Sequence, residues 1–458
     1  MQQVDPTNLA PGQSPSTLVD SAQGAVGALD MFHAYIGVFI VAFLLTVCLT
    51  PLMRKLAISQ GIVDRPTDPR KAHRIPVAYL GGLAVFVGVL GGIAFSYIGE
   101  GLPTAFFETH ESRFEQRAFP LSIVVGMVAI TITGLLDDAA GLFPRLKIVG
   151  QLLAAAALAM NDIGVKVAAG FMQPIGSWLF DNAEMVWHIT VPAALTPLLG
   201  PEVQFDAIYW TGTIIIAVFV LGGCNASNLI DGLDGLLSGV TAVAAAGLLI
   251  VALHLAVADD GPLDSARVIL ALALLGACLG FLPHNFNPAT IFLGDCGSLL
   301  LGYLSIVLIL SLGDTGKTHL VIAGLIIYAI PIIDTFLAIV RRKLAGKPLS
   351  AADDQHLHHM LKRALGVKGA VFALYGIGAV FAGLGLWLTE GRVRVVLTVA
   401  LVFGAFITVT AVKVARRQAI ESAAQLFDTK PTPAVEEPTV PGAEAAHAGA
   451  PPRPAPTS

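Results

Sequence analysis

The sequence predicts an all-α polytopic membrane protein of about eleven transmembrane helices, with its polar strings on the cytoplasmic side. Three observations predict it. Hydrophobic residues make up 55% of the chain and charged residues 13%, and the mean hydropathy is +0.76, whereas soluble domains carry about 25% charged residues. Apolar runs of about 20 residues, the length a spanning helix needs, recur from end to end. Between these runs, carboxylates gather in a few short strings, and an acidic side chain at a membrane boundary is costly unless it has a task.

In chain order the spans fall at about 33–53, 78–98, 120–136, 146–162, 208–224, 236–256, 266–283, 297–312, 318–340, 369–388 and 393–412. The fourth is the weakest, because its Ala-rich run is short and ends in Asn161 and Asp162. Residues 163–207 are too long for a tight turn. Their Pro and Gly content and the β-prone Val186–Val191 predict a small extramembrane hairpin or amphipathic piece. Residues 1–30 are polar and lack a basic n-region, so no cleavable signal peptide is expected there; the distribution of charge along the chain makes them an extracytoplasmic segment. Residues 31–415 form one integral domain, and 416–458, rich in Ala, Pro, Glu and Thr, form a disordered cytoplasmic tail. The four cysteines, Cys48, Cys224, Cys278 and Cys296, are far apart and read as small buried hydrophobes.

Orientation follows from the basic residues. Arg54, Lys55, Arg65, Arg70, Lys71 and Arg74 follow the first span, Arg145 and Lys147 the third, Arg341, Arg342 and Lys343 the ninth, and Lys413, Arg416 and Arg417 the eleventh. With eleven spans all of these share one side, which is therefore cytoplasmic, with the N-terminus outside and the C-terminus inside. The acidic strings and a histidine-rich loop fall on that same side.

The strings carry the chemistry. GLLDDAAGL closes the third span with Asp137 and Asp138; adjacent carboxylates point different ways, so one can bind while the other acts as a base. Lys147 follows, placed to meet a phosphate or merely to obey the charge rule. NASNLIDGLDGLLSG is the most specific string. Asn228, Asp231 and Asp234 recur every three residues and offer hard oxygen ligands, while its glycines let backbone or ligand approach. FLPHNFNPATIFLGDCGSLLLG supplies Asn285, Phe292 and Asp295, with Pro283 and Pro288 forcing a loop path. Asp295 reads as a metal ligand or a helix cap, and Phe292 as a base-stacking or lipid-facing ring. The loop SAADDQHLHHMLKRAL carries His356, His358 and His359; with no cysteine nearby and with Lys and Arg around it, phosphate binding fits it better than zinc.

Taken together, residues 60–365 resemble the polyprenyl-phosphate N-acetylhexosamine-1-phosphate transferases. The resemblance implies about ten or eleven transmembrane helices around a cytoplasmic active-site cleft. It implies Asp137, Asp138 and Lys147 as catalytic groups, and Asn228 and Asp295 as ligands of Mg²⁺, with Mn²⁺ as a substitute. Asp231, Asp234, Asn285, Phe292, Lys71, His356, His358 and His359 would then bind substrate. Two departures stand out: Cys296 replaces the usual Thr in GDTGS, and Ala78 replaces a proline before the Gly81–Gly82 pair. Leu357 between the histidines resembles the N-acetylglucosamine branch. The expected reaction transfers N-acetylglucosamine-1-phosphate from UDP-N-acetylglucosamine to undecaprenyl phosphate in the bacterial inner membrane, releasing UMP and beginning a cell-envelope polysaccharide. Membrane lipid is the expected surrounding, nucleic acid is not an expected partner, and a homodimer is compatible with the reading. The alternatives are a phospho-MurNAc-pentapeptide translocase, a transferase for another UDP-N-acetyl sugar, or a polyprenyl-lipid transporter.

Overall fold

In the computed structural model of the chain, the described residues are 27–64, 76–98, 119–191, 200–258, 261–344 and 356–390, with isolated positions elsewhere up to 420. Lys71, the residues before 27 and nearly all of the 416–458 tail lie outside them. In order the elements are α1 (Ala28–Gln60), β1 (Val63–Asp64), β2 (Val77–Ala78), α2 (Gly81–Ile98), α3 (Leu121–Ala140), α4 (Pro144–Ala159), α5 (Ala169–Phe180), β3 (Val186–Thr190), β4 (Glu202–Asp206), α6 (Ala207–Ile230), α7 (Leu236–Val257), α8 (Asp264–Asn285), α9 (Gly294–Ser311), α10 (Thr318–Ile327), α11 (Ala329–Leu344) and α12 (Leu357–Thr389).

Among the described residues, seven helices are long and apolar enough to cross a membrane, α1, α3, α6, α7, α8, α9 and α12, or up to eight if a bent pair counts as one span. This is fewer than the eleven expected, for reasons specific to each place. Helix α2 is apolar but short. Helix α4, the doubtful fourth span, has 16 residues, roughly 24 Å of helix against a hydrocarbon core of about 30 Å. The stretch 318–340 is broken, with α10 and α11 meeting at 81°. Pro331, in the first turn of α11, cannot donate to the carbonyl of Ile327, and in a continuous helix its ring would clash with that carbonyl. Most of 393–412 lies outside the described residues.

The expected hairpin is present: β3 and β4 pair antiparallel, with Val186 opposite Asp206 and Thr190 opposite Glu202. The tenth span also falls where expected, because α12 is interrupted at Gly366 (φ 72°, ψ 176°), separating a short histidine-bearing segment from the span that follows.

Helix α9 is the axis of the fold. A helix apolar on every side must be surrounded, and 89% of its spanning window is buried, against 22% for α1 and 28% for α6. It packs against α2, α3, α6, α7, α8 and α10. Small residues let neighbouring backbones close on it. Gly82 on α2 meets the main chain at Gly297, Gly134 on α3 meets the main chain at Cys296, and Gly302 meets the carbonyl of Gly223 on α6. The outer helices turn Ile40, Leu44, Val125, Ile132, Ile214 and Val218 outward, as lipid-facing residues would be.

The loop between α8 and α9 is stitched to the start of α2. Phe292 donates its N–H to the carbonyl of Ala78, and Gly81 and Gly82 donate to the carbonyls of Phe292 and Leu293 at 3.0 and 2.9 Å. Ala78 thus fits a short ribbon with Ile291 on one side and Val63 on the other, so the position where a proline was expected takes part in the pairing and accepts as strand.

A methyl group at Gly134 would overlap main-chain atoms of α9, whereas one at Gly222 would meet nothing within 4 Å. Gly134→Ala should therefore destabilise the protein by about 1–3 kcal/mol, and Gly222→Ala should leave it unchanged, as read by thermal unfolding of the detergent-solubilised protein.

Candidate active site

Each chemistry-bearing string lies where the chain turns at one end of the bundle, and the turns touch. Helix α3 ends at Gly141 (φ 68°), whose N–H donates to the Asp137 carbonyl. The Asp137 carboxylate accepts the N–H of Leu142 at 2.7 Å and closes this turn. Pro144 then starts α4, and Lys147 in its first turn reaches back across the gap. Its Nζ lies 2.7 Å from Asp137 and 2.6 Å from Asp295.

Asp295 stands in the first turn of α9. Its Oδ1 accepts from Asn228 Nδ2 at 2.9 Å, and the same amide donates to Ser298 Oγ at 2.9 Å. The structure therefore joins Asp137, Lys147, Asn228 and Asp295 in one continuous network contributed by α3, α4, α6 and α9.

Asp138 faces elsewhere. Its carboxylate accepts the backbone N–H groups of Asp295 and Cys296 at 2.8 and 3.0 Å. A carboxylate in the last turn of α3 opposes that helix's own dipole, but here it meets the positive amino end of α9, where anions are favoured. Gly294 (φ 69°) makes this approach feasible, since any side chain there would run into the Asp138 carboxylate. Cys296, in the place of Thr, is fully buried and donates its backbone N–H to Asp138.

The acidic string between α6 and α7 divides its labour. The Asp231 carboxylate makes no hydrogen bond among the described residues. Burial, followed by the charges of Asp295, Asp138 and Asp234, pushes its carboxyl up to about 8. Asp234 accepts from Asn287 Nδ2 at 2.8 Å and from the Ala289 N–H at 3.0 Å, tying the string to the loop before α9. Asn285 is buried: its Oδ1 accepts from Gly235 N and Ser238 Oγ, and its Nδ2 donates to the Ile291 carbonyl. Its side chain thus joins two loops. Phe292 lies on that loop with its ring 6.1 Å from that of Tyr79.

The histidine loop reaches the same place from the other side. His358 Nε2 would lie 2.6 Å from a Cβ at Gly232, and His359 packs on His358 with ring centroids 4.3 Å apart. Behind them stands Asp334 of α11, a residue the string-by-string reading of the sequence missed. It lies within bonding distance of both His356 and His358. The signal was there: a lone carboxylate inside the apolar run AIPIIDTFLAIV is the feature that singled out the other aspartates. Tyr375 of α12, also missed, donates to the Gly235 carbonyl at 2.5 Å.

Two groupings offer ligand atoms to a cation. Asp137 and Asp295, with the Asn228 amide beside Asp295, are the hard oxygen donors that Mg²⁺ prefers; Lys147 lies between the two carboxylates, so this spot accepts positive charge. Asp334, His356 and His358 bring one atom each within 4.8 Å of one another, but there the carboxylate is already engaged by an imidazole N–H and a backbone N–H. Lys71 lies outside the described residues.

Residues 120–313, from the start of α3 to just past α9, match Glycosyl transferase family 4. The chain is 32% identical over 349 residues, 75% of its length and 82% of the other, to a Bacillus subtilis (strain 168) protein named "Probable undecaprenyl-phosphate N-acetylglucosaminyl 1-phosphate transferase". It is 30% identical over 403 residues, 82% of its length and 87% of the other, to a Mycolicibacterium smegmatis protein named decaprenyl-phosphate N-acetylglucosaminephosphotransferase. It is 29% identical over 362 residues, 76% and 95% of the two chains, to a Bacillus cytotoxicus phospho-N-acetylmuramoyl-pentapeptide-transferase. The matched region contains the whole Asp137–Lys147–Asn228–Asp295 network, and with it the chain belongs to the polyprenyl-phosphate N-acetylhexosamine-1-phosphate transferases of glycosyl transferase family 4.

Proposed function

We propose that this protein transfers N-acetylglucosamine-1-phosphate from UDP-N-acetylglucosamine to undecaprenyl phosphate, releasing UMP, at the cytoplasmic face of the bacterial inner membrane. The observation that carries the reading is Lys147, lodged between Asp137 and Asp295 with Asn228 beside them. Such a site can receive a diphosphate and a divalent cation together. The sugar is read from His356-Leu357-His358-His359 and from two relatives named for N-acetylglucosamine transfer. A phospho-MurNAc-pentapeptide substrate is the second reading, supported by the Bacillus cytotoxicus relative. A transporter fits less well, because its binding groups would sit near the membrane midplane between repeats, whereas these gather at one end of the bundle. The cytoplasmic placement of that end rests on the distribution of Lys and Arg.

Asp295 and Asn228, with Asp231 as a third donor, would hold Mg²⁺, which when bound offsets the charge of the diphosphate. Lys147 places positive charge where the phosphorus becomes more negative in the transition state. Asp137 orients or deprotonates the lipid phosphate. An oxygen of that phosphate attacks the β-phosphorus in line, the bond from this phosphorus to the bridging oxygen breaks, and UMP leaves with that oxygen. Asp234 and Asn285 keep the two loops in register, while Phe292, His356, His358, His359 and Lys71 serve the substrate.

Purified protein given undecaprenyl phosphate, Mg²⁺ and a panel of UDP-sugars should release UMP fastest with UDP-N-acetylglucosamine. Release with UDP-MurNAc-pentapeptide alone would overturn the choice of sugar, and no release with any member would overturn the transferase reading. The two neighbouring aspartates should separate in their behaviour. Asp137→Asn should lower kcat by about 100-fold or more while leaving the unfolding temperature and UDP-sugar binding near normal. Asp138→Ala should also destabilise the protein by about 1–2 kcal/mol, read as a lower unfolding temperature, because it uncaps α9. The Asp231 carboxyl, raised to about 8, is largely protonated at neutral pH and must lose its proton as a cation arrives. Mg²⁺ affinity, measured by activation of UMP release, should therefore rise between pH 6.5 and 8.5 by up to about tenfold per pH unit, and Asp231→Asn should flatten that rise.

A further inference from the structure

Resting on the reading of the histidine loop as a substrate-facing element, we propose that Asp334 is its positioning residue. The carboxylate fixes His356 with its proton on Nδ1 and holds His358 against the acidic string, leaving Nε2 of each ring as the working nitrogen. Asp334 is 1% exposed and lies on α11 just beyond the 81° break. Its Oδ2 is 2.9 Å from His356 Nδ1, and its Oδ1 accepts the N–H of Leu357 at 2.6 Å. An ionised carboxylate can only accept, so the proton of that imidazole belongs on Nδ1. The bond to Leu357 also places the carboxylate at the amino end of α12, where a negative charge is favoured. His358 Nδ1 lies 3.3 Å from the same Oδ2 without an aligned hydrogen bond, and its ring stacks on that of His356 at 5.3 Å and 21°. Fixing one ring therefore places the other.

The far edge of His358 lies against Gly232, where any side chain would collide with the ring. Asp334, the two imidazoles and the Asp231–Asp234 string thus form one stack running from α11 to the site. It is a third group orienting an imidazole, the arrangement by which a buried carboxylate selects a histidine tautomer in other enzymes.

The test uses the purified full-length protein in detergent, with UMP release followed across pH and activity expressed per UDP-sugar binding site, so that loss of folded protein is not read as loss of turnover. Asp334→Asn keeps the shape and an oxygen for Leu357, but presents an amide N–H to His356 Nδ1 and so favours the opposite tautomer. It should lower kcat by about 100-fold or more with little change in KM for the UDP-sugar. Asp334→Glu, which restores a carboxylate, should recover part of the loss. In the double variant Asp334→Asn/His356→Ala, the second change should add little to the first. Near-parental kcat in Asp334→Asn, when His356→Ala and His358→Ala are impaired, would overturn the positioning role, as would full additivity in the double variant. Near-parental kcat in both histidine variants would instead remove the substrate-facing reading of the loop, and the proposal with it.

Discussion

One carboxylate on one helix closes the amino end of another. Asp138, at the end of α3, accepts the first free N–H groups of α9 at 2.8 and 3.0 Å. A charge in this position contributes about 1–2 kcal/mol, but its geometric effect is larger. It sets how deep the first turn of α9 sits against α3, and therefore where the Asp295 carboxylate stands. Lys147 then finds Asp295 and Asp137 within one ammonium's reach. The Lys147 contacts are consequences of a structural one, made by Asp138, which the family resemblance also implies as a catalytic group.

Close helix packing makes that contact repeatable. Gly82, Gly134 and Gly302 bring α2, α3 and α6 to backbone distance from α9, so the central helix has little freedom to slide or rotate. The loops at the site are tied with equal economy of motion: Asn285 uses its whole amide on Gly235, Ser238 and Ile291, and Asp234 holds Asn287 and Ala289. In a low-dielectric setting satisfied polar groups rigidify their surroundings. Asp231 stands out against this background as the site carboxylate given no hydrogen-bond partner among the described residues, with burial and neighbouring carboxylates raising its carboxyl.

Much of this was legible in the sequence, because carboxylates are rare among apolar runs and stand out when they occur. Asp137, Asp231, Asp234 and Asp295 stand out in that way, and the β-prone Val186–Val191 announces its hairpin. What was not legible depended on distance or on a single residue. The partner of Asp138 lies 157 positions away, and no local pattern distinguishes a carboxylate that caps a distant helix from one that acts as a base. The family resemblance implies Asn285 as a substrate-binding residue, and only the structure shows that its amide also joins two loops. Asp334 was passed over because it stands alone rather than in a string. The break after Ile327 was visible as Pro331 but outweighed by hydropathy, which counts apolar residues and is blind to a missing N–H.

The interruption of α12 at Gly366 bears on how the enzyme tolerates its surroundings. A transmembrane helix tilts or shifts as bilayer thickness changes, and a rigid helix would carry that tilt through to its last residue. With one residue at φ 72° between them, the span after Gly366 and the histidine segment before it are separate levers. The histidines are referenced to α11 through Asp334, so changes in lipid thickness felt by the span need not be transmitted to the imidazoles.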